Sequence, residues 1–337
     1  MSYELVGITV LWIFLYGYLI IASIDFGAGF FAYYARLTKK DHLMNQLISR
    51  YLSPVWEVTN VFFVFFFVGL VGFFPDMAYY FGQSLLIPGS IAIVLLAIRG
   101  SFYAFENYGS KDNQLYMFLY GATGLLIPAS LSTALTISEG GYIKETAGGV
   151  QLLYGELFTS PYSWSVVFLA IVSVLYISAM FLTYYAHRAG DQPALELLRK
   201  YALFWSSPTI IASLTTFIAL SQQNMDHFQR AMDLWWVFGI SVGFFMVAVF
   251  LVYQGKHYGW AFMAVMVQFF VAFFGYGASH LPYLLRPYVT ITSGVTNESM
   301  AIALIVAFIA GLLLLIPSLL LLMRLFLFDA DYVKGKK

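Results

Sequence analysis

Apolar residues in this chain come in long unbroken runs, neither alternating as in a half-buried strand nor confined to one stripe as on a soluble helix. With about 20 apolar residues needed to cross the hydrocarbon of a bilayer, the runs predict spans at Leu5–Tyr33, Pro54–Tyr80, Leu85–Phe105, Gln114–Leu135, Ser163–Tyr185, Tyr201–Leu220, Leu234–Tyr253, Trp260–Tyr276 and Met300–Phe328. That makes an all-α polytopic membrane protein of nine transmembrane helices. The longest connection, Ile137–Tyr162, is rich in Gly, Ser and Thr and divides the chain into four spans and five. A faint internal echo crosses that divide: "ASLSTALTIS" at Ala129 and "ASLTTFIALS" at Ala212 close helices that run in the same direction. Small and hydroxyl residues recur wherever helices pack in lipid, which explains the echo equally well.

Composition agrees with the pattern. The chain is 61% hydrophobic and 10% charged, whereas a soluble domain carries about a quarter charged residues. Seventeen basic and seventeen acidic residues leave no net charge, so nothing points to a nucleic acid or an acidic macromolecule as partner. The chain has no cysteine, which removes disulfides, thiolate zinc sites and iron–sulfur ligation together. The opening Met-Ser-Tyr-Glu lacks a basic n-region and the apolar run after it is too long for a signal peptide, so it reads as a retained first span.

Charge then orients the spans. Arg36, Lys39, Lys40, Arg50, Lys111, Arg188, Arg199, Lys200, Lys256, Arg324, Lys334, Lys336 and Lys337 fall on one side, and only Lys144, Arg230 and Arg286 on the other. Thirteen against three puts the N-terminus outside and the C-terminus in the cytoplasm, as an odd number of spans requires.

Three charges sit inside spans: Asp25, Glu57 and Arg99. At about 1.5 Å rise per residue, Asp25 lies some 30 Å below the outer end of the first span and Arg99 about 20 Å down the third. Glu57 falls in the first turn or so of the second span, so all three occupy the cytoplasmic part of the membrane. Ordinary explanations exist. Glu57 follows Ser53-Pro54, which looks like a helix cap, and an acid in that turn complements the helix dipole. Arg99 can snorkel to inner headgroups, although its side chain leans towards its own N-terminus and hence towards the membrane centre. Asp25 leans inward too, on a face with Ala22 and Gly29 where another helix can come close. If the three meet, two carboxylates share one guanidinium. The surplus negative charge is expensive in a low dielectric and favours a held, exchangeable proton. A static ion network that positions helices fits the same residues. Trp56, Thr59, Asn60, Ser101, Tyr103 and Glu106 can extend such a path, or serve only in packing.

The five histidines, His42, His187, His227, His257 and His280, all lie in loops or at span ends. A haem within a helical bundle needs axial His or Met inside it, so no haem is expected on this chain. There is no P-loop, no GxGxxG unit and no zinc-type histidine pair, and no metal site is expected. His280, Pro282 and Arg286 read as a loop anchor more readily than as a small-molecule contact. On residues alone a proton-coupled secondary transporter also fits, though carriers show Gly/Pro-broken helices near the midplane of both halves.

Three stretches, "DFGAG" at Asp25–Gly29, "PVWEVTNV" at Pro54–Val61 and "IRGSFYAFE" at Ile98–Glu106, resemble subunit II of the cytochrome bd-type quinol oxidases. The resemblance implies two four-helix bundles plus one peripheral helix. Residues 1–137 would form the first bundle, 138–162 an extracellular loop, and 163–337 the second bundle, the peripheral helix and a cytoplasmic tail. It implies a bacterial or archaeal plasma membrane, with membrane lipid around the chain, and a homologous subunit I that carries the haems and oxidises quinol while dioxygen is reduced to water. It leaves room for a small single-helix third subunit. Residues matching Asp25 and Glu57 are placed by the resemblance on a proton route to the haems, with Arg99 and Trp56 close by. Glu57 stands where aspartate is usual, Thr59 where asparagine is frequent and Phe62 where tryptophan is common; a role of that tryptophan in oxygen entry is not carried over to Phe62.

Overall fold

A computed structural model describes residues 2–40, 59–108, 114–322 and 324 of the chain. The helices are α1 (Tyr3–Leu37), α2 (Thr59–Phe73), α3 (Pro75–Ser84), α4 (Leu86–Tyr108), α5 (Gln114–Leu131) and α6 (Thr133–Ser138). A hairpin of β1 (Ile143–Thr146) and β2 (Gly149–Leu152) and the short α7 (Tyr154–Thr159) fill the long connection. Then follow α8 (Pro161–Ala189), α9 (Gln192–Gln223), α10 (Met225–Asp233), α11 (Trp235–Gln254) and α12 (Tyr258–His280), the pair β3 (Tyr283–Leu285) and β4 (Val289–Thr290), and α13 (Glu298–Leu322). Among the described residues, seven helices are long and apolar enough to cross a membrane, or eight if the bent α2–α3 pair counts as one span. The apolar stretch of α4, Leu86–Ser101, is shorter.

One expected span ends differently from its hydropathy. The run to Tyr80 is broken at Phe74, where α3 leaves α2 at 119°. Pro75 is the cause: it supplies no N–H to continue α2 and pushes the preceding residue out of the helical region, and Phe74 sits at φ −130°, ψ 70°. The run to Leu135 is carried by α5 and α6 together as one span, Gln114–Ser138, with only a turn residue at Ser132 between them. Elsewhere local signals set the ends. The Ser160 hydroxyl accepts from Ser163 N at 3.3 Å before Pro161, and Gly190 closes α8 in the left-handed region at φ 74°. Asp191 then caps α9 through Ala194 N at 3.1 Å.

α1 is the axis of the molecule. Its second half packs with α5, α8, α9, α11 and α12 in one apolar core, while its first half packs with α2, α3 and α13 in another. α8, α9, α11 and α12 contact one another as a bundle, and α5 joins α1, α4 and α8. The last helix, although it follows the second bundle in sequence, lies on α1 and α2 through Phe308, which meets Phe14, Phe65 and Phe73. Small residues permit the closest approaches. A Cβ on Gly27 would overlap Ser178, and one on Gly124 would overlap the Phe26 carbonyl oxygen. Hydroxyl groups then bond across helices to backbone carbonyls: Ser178 to Ile24 O at 2.9 Å, Ser130 to Pro88 O at 2.6 Å and Tyr16 to Met266 O at 2.7 Å. In lipid each such bond stabilises packing by about 0.6 kcal/mol.

Candidate functional site

Where α1, α4 and α5 meet, an ion pair is enclosed by the helices. Asp25 comes from α1 and Arg99 from α4, and each side chain is almost wholly buried. Arg99 Nε donates to Asp25 Oδ2 at 2.8 Å, Nη2 to the Asp25 carbonyl oxygen at 2.5 Å and Nη1 to the Tyr120 carbonyl oxygen of α5 at 2.9 Å. Thr123 Oγ1 lies 3.4 Å from Nη1. The guanidinium also stacks on the Tyr120 ring, 4.2 Å from its centroid, with Phe26 at 5.3 Å. Gly29, one turn beyond Asp25, makes the room: a Cβ there would stand 2.9 Å from Arg99 Nη1 and 2.8 Å from Tyr120 O. A planar fork with several fixed donors meets these acceptors together, as an ammonium cannot. Removing one partner would strand a buried charge at a cost of about 3–5 kcal/mol.

The other expected residues divide. Thr59 is buried and Asn60 half-buried in the first described turn of α2. Ser101 is exposed and its hydroxyl donates to Ile98 O at 2.6 Å within α4. Tyr103 and Glu106 fall on the last two turns of α4, of which the helical path alone is described. Trp56 and Glu57 lie outside the described residues. Phe62 is buried against Phe14, with Gly17 opposite its ring.

A second polar cluster lies at the end of the helices that holds the N-terminus, and sequence reasoning missed it. Glu139 follows α6, His227 belongs to α10, and His280 ends α12. All three are buried. His227 Nδ1 lies 2.8 Å and His280 Nδ1 3.3 Å from Glu139 Oε1, which also accepts from the Tyr276 hydroxyl. Asn224 Nδ2 donates to Glu139 Oε2 at 2.7 Å, and Arg286 Nη1 donates to Asn224 Oδ1 at 2.7 Å. Burial pushes the Glu139 carboxyl up, but its hydrogen bonds with His227 and His280 outweigh burial and hold it below the usual carboxylate range. The histidines had been legible only as residues at span ends, and their partner is 88 residues from His227 in the chain.

Fold and site together define a polytopic helical membrane protein that keeps a carboxylate and a guanidinium inside its first helices. Comparison with known proteins makes this specific. Residues 3–326 match the family model described as cytochrome bd terminal oxidase subunit II. A protein of Bacillus subtilis (strain 168) described as a putative cytochrome bd menaquinol oxidase subunit II is 32% identical over 341 residues, covering 99% of this chain and 98% of that protein. The solved bd oxidase from Geobacillus thermodenitrificans contains a chain 60% identical, aligned over 98% of this chain and 100% of the other with a TM-score of 0.85. The chain belongs to the cytochrome bd terminal oxidase subunit II family. It is thus one subunit of a quinol oxidase, an oxidoreductase complex with a subunit I as its partner. The carrier alternative falls with that assignment.

Proposed function

We propose that this chain is the haem-free subunit of its oxidase and delivers protons from the cytoplasm towards haems on subunit I. The reading includes nine spans, with the N-terminus outside and the C-terminus in the cytoplasm of a prokaryotic plasma membrane, in line with the thirteen-to-three distribution of basic residues. The observation that carries it is the buried Asp25–Arg99 pair. Asp25, held by Arg99 inside the helices, is the first carboxylate of that route. Glu57, which the sequence places in the same cytoplasmic part of the membrane, is the second carboxylate of the route, and two carboxylates sharing one guanidinium favour a held, exchangeable proton. Buried Thr59 and half-buried Asn60, two and three residues after Glu57, supply polar atoms along the way. Menaquinol is the substrate this reading assigns to the complex, on the likeness to the Bacillus subtilis protein.

The test is oxygen uptake by the purified two-subunit complex. Glu57→Gln should lower turnover by about tenfold or more, a typical contribution of a positioned proton-transfer group being about 100-fold or above, with haem spectra unchanged. Turnover equal to wild type would leave Glu57 as a helix cap and remove the route.

A further inference from the structure

Proton delivery makes no use of Glu139, His227 and His280, yet their arrangement is unlike a loop anchor. Ser279 has a single hydroxyl proton and gives it to the Tyr276 carbonyl oxygen at 2.9 Å. Towards His227 Nε2, 2.8 Å away, its oxygen is therefore an acceptor. The other ring nitrogen, His227 Nδ1, faces Glu139 Oε1 at 2.8 Å. His280 Nδ1 stands 3.5 Å from His227 Nδ1 and 3.3 Å from the same oxygen. His280 Nε2 is buried with no hydrogen-bond partner among the described residues, so Nδ1 is the ring nitrogen that meets the cluster. Three atoms that can each offer an electron pair to a metal thus face one point.

We propose that Glu139 Oε1, His227 Nδ1 and His280 Nδ1 are the protein ligands of a divalent cation, with zinc the best match. Ligands about 2.0–2.1 Å from a tetrahedral zinc are about 3.3 Å from one another. The three edges here are 2.8, 3.3 and 3.5 Å, so the triangle closes on zinc with shifts of tenths of an ångström. Two imidazoles and one carboxylate are a donor set that suits zinc better than magnesium or calcium, which take oxygen alone. The surroundings do what an outer shell does: Ser279 orients His227, and Asn224 holds Oε2 so that Oε1 is presented alone. The Tyr276 hydroxyl, beside Oε1, marks a fourth direction that it or a water can fill. The ligands come from the end of α6, from α10 and from α12, so the ion would fasten the long connection to the second bundle.

The test uses the whole oxidase complex, stripped with EDTA, reloaded with zinc chloride and washed free of excess metal. Elemental analysis should find one zinc per copy of this chain. Zinc K-edge absorption should show a nitrogen and oxygen shell at about 2.0–2.1 Å with imidazole scattering. Glu139→Gln and His280→Ala should each lower zinc affinity by about tenfold or more at unchanged haem content. Retention of no zinc, or equal retention by both variants, overturns the proposal. Where a variant does not assemble, the wild-type spectrum decides: a shell without imidazole overturns it.

Discussion

The Arg99 side chain joins three helices by its nitrogens, which separates its charge from its shape. Arg99→Lys keeps the charge but cannot reach Asp25 Oδ2, Asp25 O and Tyr120 O at once. The complex should therefore melt at lower temperature in detergent, although net charge is unchanged. Asp25→Asn alone removes the carboxylate at Arg99 Nε and should cost about 3–5 kcal/mol, whereas Asp25→Asn combined with Arg99→Met removes both charges of the pair and should recover most of that loss. Thermal unfolding of the four members of this cycle checks the coupling; additive losses would contradict a direct pair. Asp25 and Arg99 were legible in the sequence because a charge inside an apolar run has few reasons to be there. The Tyr120 acceptor was not, since a backbone carbonyl used as an acceptor leaves no mark in the residue type. Glu139, His227 and His280 were hidden by separation along the chain and by lying at helix ends, where polar residues are ordinary.

At the scale of helices, hydropathy located the apolar runs well but not the points where the backbone must turn. It saw the interior of α9 from Tyr201 and missed its first turns, where Glu196, Arg199 and Lys200 carry the helix beyond the apolar run, which starts at Tyr201. It read through Pro75, because Ala78, Tyr79 and Tyr80 continue the apolar character after the chain has already bent. Close approach is also invisible to hydropathy, yet it decides which glycines matter. Gly124 of α5 faces the backbone of Phe26, whereas Gly239 of α11 has nothing within 4 Å of the position a Cβ would take. Gly124→Ala must push α5 away from α1 and should destabilise by about 1–3 kcal/mol. Gly239→Ala should be neutral or stabilising by up to about 1 kcal/mol, as alanine favours helix. Unfolding midpoints of the two variants in the same detergent give the comparison, and equal midpoints would contradict the packing of α1 on α5.

Across the whole molecule, α1 belongs to both apolar cores and carries Asp25 of the ion pair in its second half. That element is 35 residues long, about 52 Å at the helical rise, and longer than the hydrocarbon it crosses. Its two ends must therefore stand in different aqueous phases, and a proton route that starts at one of them is defined by which phase that is. The chain contains no cysteine, which makes its sidedness directly measurable. Lys144→Cys, in the β hairpin, should react with a membrane-impermeant maleimide in intact cells. Lys256→Cys, between α11 and α12, should react only after permeabilisation, with labelling read from the mass of this chain. The reverse pattern would place the Asp25–Arg99 pair nearer the outer surface, and a cytoplasmic source of protons would then be physically cut off from it by most of the length of α1.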